Sequence, residues 1–234
     1  MRSYFNKFLL GFALMFAAGR LPAQDQATNI LLPAGWQQGF KVTLRDELHH
    51  PDISWPAGHI SYRLNFGANG IAPDGLRIKD ARSGKDLIFQ LSEKELKKGL
   101  LQRAILHLIT DLPYNSDRSF IISAGKTPIS EAGITITQTS ETITLDNGVI
   151  RISLPASEQA KNIAPVVSYG RPQSLLGHGQ LNLKPLKLKV EALAKGPVYA
   201  GYVLNYDFAG GKHYRVNIRL VKGLEFAEIT EQMS

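Results

Sequence analysis

The chain has 234 residues, an ordinary globular composition, a formal net charge of +7 and no cysteine. This length corresponds to one or two domains, and a hydrophobic content of 44% argues against disorder. The missing cysteine excludes a lipid-modified cysteine anchor, thiolate catalysis and cysteine-ligated zinc in this chain.

The first 23 residues have the three regions of a secretory signal peptide. Arg2 and Lys7 precede the apolar run 8–18, and small residues follow it. The run is too short to span a bilayer, which takes about 20 apolar residues. We therefore predict a signal peptide at 1–23 and export to the periplasm or the extracellular space, without membrane insertion after cleavage. The alternative is a buried core helix.

Removal of this segment lowers the positive charge. It carries three of the 27 basic residues and no acidic one, which leaves 24 basic against 20 acidic residues and a net charge of +4. Such a surplus fits a solvated surface and is also compatible with an acidic polysaccharide partner that contains uronates. No nucleic-acid partner is predicted, because Lys and Arg do not cluster among aromatic residues.

Residues 24–128 contain short segments in which apolar and polar residues alternate. Period-2 alternation is typical of strands with one wet face, and Ser83-Gly84 supplies a turn between two of them. The predicted strand regions are Phe40–Asp46, His59–Phe66, Gly75–Leu91 (two strands) and Arg118–Gly125.

The stretch from Ser92 to Pro113 fits both helix and strand patterns. Ser92 and Glu95 form a capping box that should start a helix, but Gly99 interrupts it within two turns. Leu101–Pro113 then has apolar residues at both helical and strand spacing. Its β-branched content favours a helical turn followed by a strand.

Residues 129–234 follow a Pro- and Gly-containing boundary at 126–133 and form a second unit. Asp146-Asn147-Gly148 between two alternating runs predicts a tight hairpin. The polar stretch 155–180 predicts a long loop, and three long strands are predicted after it, at 181–193, 198–208 and 212–223.

The second unit is predicted to be an antiparallel sandwich that is incomplete. Its long strands can align one apolar face, which must be covered by a second layer. The last strand, LEFAEIT, begins just before the end of the sequence. We therefore expect the covering layer to lie outside this chain, and the chain to be a fragment of a longer protein.

The candidate catalytic and metal-binding groups are scattered. Arg45–Asp52 holds two histidines and three acids, but adjacent histidines on an extended chain point to opposite faces, so a solvated loop is favoured over a metal site. His107, His178 and His213 each stand alone among apolar or glycine neighbours, which favours structural roles. Glu228 with Glu231 could be a carboxylate pair, although strand alternation explains it equally. No catalytic residue, metal ligand or cofactor is predicted.

Aromatic residues are the candidate carbohydrate-binding groups. Trp36, Trp55 and Tyr169 could stack on sugar rings, together with further tyrosines in the second unit. The competing interpretation is that these rings belong to the core, where aromatics bury large apolar areas.

The order of these features resembles a family of secreted proteins. The segments FKVTLRDEL, WPAGHISYRLNF, GLRIKDARSGKDLIFQLSE and LLQRAILHLITDLP are similar to the N-terminal small β-barrel, of the rift-barrel type, in exo-acting rhamnogalacturonan lyase-like proteins. GPVYAGYVLNYDFAGGKHYRVNIRLVKGLEF resembles the large antiparallel sandwich that follows this barrel. The resemblance rests on apolar alternation and on Gly and Pro positions across nearly all of the mature chain.

This resemblance implies an all-β protein with a barrel at 24–128 and a sandwich at 129–234. It further implies the non-catalytic N-terminal region of a polysaccharide-degrading lyase or hydrolase, with catalytic residues further downstream. The alternative is an exported β module that binds a glycan or a protein and acts alone.

Overall fold

The computed structural model describes residues 28–45, 54–126 and 133–234, and nearly all their regular structure is β-strand. The predicted all-β class is therefore confirmed. The predicted signal peptide 1–23, most of the polar cluster 45–52 and most of the predicted boundary 126–133 lie outside these residues. Across the three described ranges, no helix is long and apolar enough to cross a membrane.

The first block forms two sheets. A four-stranded sheet has the order β1-β3-β6-β5, and a three-stranded sheet has the order β2-β7-β4. The elements are β1 (Thr28–Leu31), a 3-10 turn (Trp36–Gln38), β2 (Phe40–Leu44), β3 (Trp55–Asn65), β4 (Leu76–Asp80), β5 (Phe89–Lys97), β6 (Leu100–Leu112) and β7 (Arg118–Ala124).

The two sheets of the first block share one core. Leu64 and Leu106 from the larger sheet and Ile78 from the smaller one are fully buried in it, each contributing roughly 1.5–3 kcal/mol of transfer free energy. In the described ranges the strands do not close into a hydrogen-bonded barrel. The predicted barrel is instead a pair of facing sheets, since β4 pairs with β7 and β5 pairs with β6, and the described residues show no ladder between β4 and β5.

The capping box of the first block does not start a helix. Residues 89–97 and 100–112 form the antiparallel pair β5 and β6, joined by a tight turn at Lys98 and Gly99, both with positive φ. The predicted strand at 101–113 is confirmed and the predicted helical turn is wrong. Pairing of Leu91 and Leu106 across the sheet, with both side chains packed on the core, overrides the local capping signal.

The second block also has two sheets. A five-stranded sheet has the order β12-β11-β10-β9-β8, and a four-stranded sheet has the order β13-β14-β15-β16. The strands are β8 (Thr135–Gln138), β9 (Thr142–Asp146), β10 (Arg151–Pro155), β11 (Ser168–Arg171), β12 (Ser174–Gly177), β13 (Lys187–Lys195), β14 (Tyr199–Phe208), β15 (Lys212–Val221) and β16 (Ala227–Met233).

The apolar face of the long strands is covered within the chain, so the predicted absence of a covering layer is wrong for this face. Leu145 and Leu154 from the five-stranded sheet pack in one core with Leu204, Tyr206 and Ile218 from the four-stranded sheet. The segment 155–180, predicted as a loop, supplies β11 and β12 to the covering sheet. These strands are four residues long, too short for the alternation signal.

The predicted tight turn at 146–148 is confirmed and also ties the two sheets together. Gly148 has a φ of 87°, which a residue with a Cβ rarely adopts. Buried Asn147 accepts the N–H groups of Val149 and Ile150, at 2.9 and 2.8 Å. Its Nδ2 donates to the carbonyls of Val221 and Leu224, at 2.6 and 2.8 Å. One side chain thus joins the β9–β10 hairpin to the end of β15.

Candidate functional site at the junction of the two blocks

The two blocks meet where the outer face of the larger N-terminal sheet contacts one end of β14 and β15. Side chains alternate along β3, so Ile60 and Leu64 face the core while His59 faces the sandwich. Val198, Tyr199, Val221 and Leu224 form a buried apolar cluster against which Ile109 of β6 packs. Polar groups from three strands of the first block surround this contact.

Gln90 of β5 fastens the sandwich to the first block. Its side chain is buried, and its Oε1 accepts the N–H groups of Val198 and Tyr199 at 3.1 and 2.9 Å. Gly196 lies directly over it, because a Cβ built there would meet the Gln90 Oε1 at 2.2 Å. In the sequence GPVY, the glycine therefore allows the backbone to approach Gln90 closely, and the valine and tyrosine supply the two N–H donors.

A buried pair of histidines lies beside Gln90. His59 Nε2 and His107 Nδ1 are 3.0 Å apart, and their rings stack with centroids 5.1 Å apart. The second nitrogen of His107, Nε2, is 2.7 Å from the hydroxyl oxygen of Ser92. The ring of Tyr199 closes this cluster from the sandwich side, with its edge against His107.

The far end of the cluster carries charge. A carboxylate oxygen of Glu228 on β16 lies 3.6 Å from His59 Nδ1, and the other accepts a hydrogen bond from Arg219 at 3.1 Å. The Arg219 guanidinium also lies over the Tyr199 ring, 4.7 Å from its centre. The interaction with His59, followed by that with Arg219, lowers the pKa of the Glu228 carboxyl, so it is ionised at neutral pH.

The ionised carboxylate sets the direction of the hydrogen bonds. Glu228 favours a proton on the near nitrogen of His59, Nδ1, which leaves His59 Nε2 as an acceptor. His107 must then donate from Nδ1, so its Nε2 accepts the hydroxyl proton of Ser92. We assign these tautomers from the geometry and the charge. The result is a directional chain from Ser92 through His107 and His59 to Glu228.

His107 is held neutral in this chain. Burial is the main cause, and the positive charge of the nearby Arg219 adds to it, lowering the pKa of His107 from 6.5 to about 3. Its neutral acceptor nitrogen next to a hydroxyl is in position to take the hydroxyl proton, whereas a pKa this far below neutral makes the resting imidazole a weak base.

Two clefts flank the sandwich sheet. The junction cleft, about 640 Å³, lies between β5 and the end of β13 and is lined by Gln90, Ser92 and Lys94 together with Lys195 and Gly196. The outer cleft, about 510 Å³, lies at the opposite end of the four-stranded sheet, between the ends of β14, β15 and β16.

The outer face of the sandwich sheet carries a row of polar side chains, here called the polar row. Lys189, Asn205, Arg215 and Gln232 are paired in register across β13 to β16. They alternate with core residues, so they share the face opposite the sandwich core. Three of the four, Asn205, Arg215 and Gln232, line the outer cleft.

The predicted carbohydrate-binding aromatics lie in three separate places. Trp36 is 3% exposed, packs on Phe66 with ring centres 5.5 Å apart, and presents no face for a sugar. Trp55 is 45% exposed at the start of β3, and Tyr169 is 49% exposed on β11 of the other block. The structure thus brings none of them together in one platform, and sugar stacking by Trp55 or Tyr169 stays a prediction.

The histidine pair was missed by the sequence interpretation, which treated His107 as isolated. The two residues are 48 positions apart and meet because Ser61 pairs with His107 in the β3–β6 register. The alternation of the two strands could have placed both histidines on the sheet face opposite the core. Their contact, however, also requires the register between the strands. Glu228 was considered only with Glu231, whereas its structural partners are His59 and Arg219.

No group of three or more His, Asp or Glu side chains in the described ranges is arranged to hold a metal ion. Compared with known proteins, the chain matches no protein-family model and no curated protein.

Proposed function

We propose that this chain is the glycan-holding region of a secreted polysaccharide-degrading protein, similar to exo-rhamnogalacturonan lyases, and that it binds an acidic polysaccharide without cleaving its backbone. The observation that supports the proposal is the polar row on the outer face of the sandwich. The predicted export signal and the order of the predicted strands support the same class of protein.

The polar row has the chemistry that an acidic glycan needs. Arg215 is an exposed cation, and exposed Lys189 is paired with Glu191 on the same face at 2.8 Å. Asn205, which also donates to Glu191 at 3.3 Å, and Gln232 have amides that can both donate to and accept from sugar hydroxyls. Neighbouring strands are about 4.8 Å apart, so the row spans roughly 14 Å across four strands. An arginine guanidinium can form two parallel hydrogen bonds with one carboxylate. Arg215 therefore favours uronates, which carry a carboxylate, over neutral sugars.

Affinity electrophoresis tests the proposal. Migration of the protein through gels containing polygalacturonate should be slowed more than through gels containing a neutral polysaccharide. The double variant Lys189→Ala and Arg215→Ala should weaken the binding by about tenfold or more, because a hydrogen bond to a charged group contributes about 1.5–3 kcal/mol and about 1.4 kcal/mol corresponds to a tenfold change in affinity. Arg171→Ala, which removes an exposed cation from β11 in the other sheet, is the matched control.

Unchanged retardation of the double variant would contradict this placement of the glycan, and no retardation of the parent protein on any acidic polysaccharide would contradict the proposed function. An exported module that acts alone is the second possibility, and it shares the same binding surface. Reading the coding DNA beyond codon 234 separates the two, since an open frame favours the polysaccharide-degrading protein.

A further inference from the structure

Ser92 is the hydroxyl at the open end of the hydrogen-bonded chain. Its oxygen is 2.7 Å from His107 Nε2, and the residue lines the junction cleft of about 640 Å³. The remaining members of the chain, His107, His59 and Glu228, extend behind it toward the sandwich. A nucleophile next to a base, with that base oriented by a third group, is the arrangement that nucleophilic catalysis requires.

The backbone next to Ser92 has an uncommon conformation. The β5–β6 register passes from Ser92 opposite Ile105 to Glu95 opposite Arg103, so Glu93 and Lys94 together lie opposite one residue in a β-bulge. Glu93 has a φ of 44°, which costs energy for a residue with a side chain and is concentrated at functional sites. Bulges reorient side chains next to active sites, and an N–H group that leaves the ladder can stabilise an oxyanion.

We propose that Ser92 is a nucleophile that accepts the acyl group of a short-chain carboxylic ester bound in the junction cleft. Ser92 Oγ attacks the ester carbonyl while its proton passes to His107 Nε2. When the tetrahedral intermediate collapses, the bond to the alcohol oxygen breaks and His107 returns the proton to the leaving alcohol. Water, deprotonated by His107 in the same way, then releases the carboxylic acid and restores Ser92.

His59 and Glu228 are positioning residues in this mechanism. Glu228 holds the proton on His59 Nδ1, which keeps His107 Nε2 free to take the proton of Ser92. This activity goes beyond glycan binding and uses a different cleft and different residues from the polar row. Its success or failure is therefore independent of the affinity electrophoresis result.

A fluorophosphonate probe tests the nucleophile directly, with the site of modification located by mass spectrometry of the full chain. Ser92 should be labelled, and Ser92→Ala should lose both this adduct and the hydrolysis of p-nitrophenyl acetate. Ser174→Ala, at an exposed serine on β12, should change neither. Glu228→Gln should lower the labelling rate of Ser92 about tenfold or more and should move the ring ¹⁵N shifts of His59 and His107.

The absence of an adduct on Ser92 would overturn the proposal, as would equal labelling of Ser174. Hydrolysis of p-nitrophenyl acetate by Ser92→Ala at the rate of the parent protein would also overturn it. If Glu228→Gln moves the histidine ¹⁵N shifts but leaves the labelling rate unchanged, the role assigned to Glu228 is wrong. Near-ultraviolet circular dichroism of each variant confirms that the comparison is made between folded proteins.

Discussion

Replacing Asn147 with alanine should lower the free energy of unfolding by about 3–5 kcal/mol. The Asn147 side chain makes four hydrogen bonds, two to N–H groups of its own turn and two to the carbonyls of Val221 and Leu224. Alanine removes all four, so both carbonyls lose the amide donor, although the Val221 carbonyl keeps the N–H group of Leu224 at 3.4 Å. Each buried group that loses its partner costs about 1–3 kcal/mol.

Urea denaturation of Asn147→Ala measures this loss. Asn182→Ala, at an exposed asparagine of the same block, is the control and should change stability by less than about 0.5 kcal/mol. Asn147→Asp keeps the side-chain oxygen that accepts from the turn but loses the donor, and it directs a charge at two carbonyl oxygens. It should therefore be no more stable than the alanine variant. A loss below about 1 kcal/mol in Asn147→Ala would contradict the role given to this side chain.

Acidification should destabilise the protein through His107. In the unfolded chain this histidine binds a proton below its ordinary pKa of 6.5, whereas in the folded protein it stays neutral down to a pKa of about 3. The unfolded state therefore binds more protons between these values, so stability falls as the pH falls from about 6.5 toward 3. The loss is about 1.4 kcal/mol per pH unit, or on the order of 3 kcal/mol by pH 4.

Replacing His107 with glutamine should remove this part of the pH dependence. The groups that face His107 are Ser92, His59, Tyr199 and Arg219, with Glu228 behind His59. Glu228 has a lowered pKa, so its own contribution is present at neutral pH and is lost as the pH falls through that lower value. Protonation of Glu228 therefore adds to the loss of stability, but only at the lowest pH values of this range.

Urea denaturation at pH 7 and pH 4 gives the comparison. The difference between the two unfolding free energies should shrink by about 3 kcal/mol in His107→Gln relative to the parent protein. His178→Gln, at an exposed histidine, should leave the difference unchanged. An equal pH dependence in the parent and in His107→Gln would show that His107 is protonated in the folded state.

Features of the fold with local signals were predictable from sequence. The Asp146-Asn147-Gly148 turn is specified by residues that adopt its backbone, and the long strand β15 alternates between more and less buried residues from Tyr214 to Leu220. The two short strands β11 and β12 carry no such signal, because four residues are too few for a period to show. The same limit explains why the covering sheet was missed.

The candidate site was much less predictable than the strands, for a physical reason. A side-chain cluster between sheets depends on register, and a shift of one residue would move His107 to the opposite face of its sheet. The sequence contains Ser92, His59 and Glu228 but gives no register that relates β5, β3 and β16. Gln90 is a second example, since its bond to the Val198 and Tyr199 amides joins positions more than 100 residues apart.

An ionised Glu228 places a proton on His59 Nδ1, which orients His107 so that its Nε2 accepts the proton of Ser92. Two-dimensional ¹H–¹⁵N NMR that detects the ring nitrogens of histidine measures this directly at pH 7. Each ring should carry its proton on Nδ1, and the ¹⁵N shifts of both rings should change in Glu228→Gln. A proton on Nε2 of His107 or of His59 would contradict this direction of the hydrogen bonds.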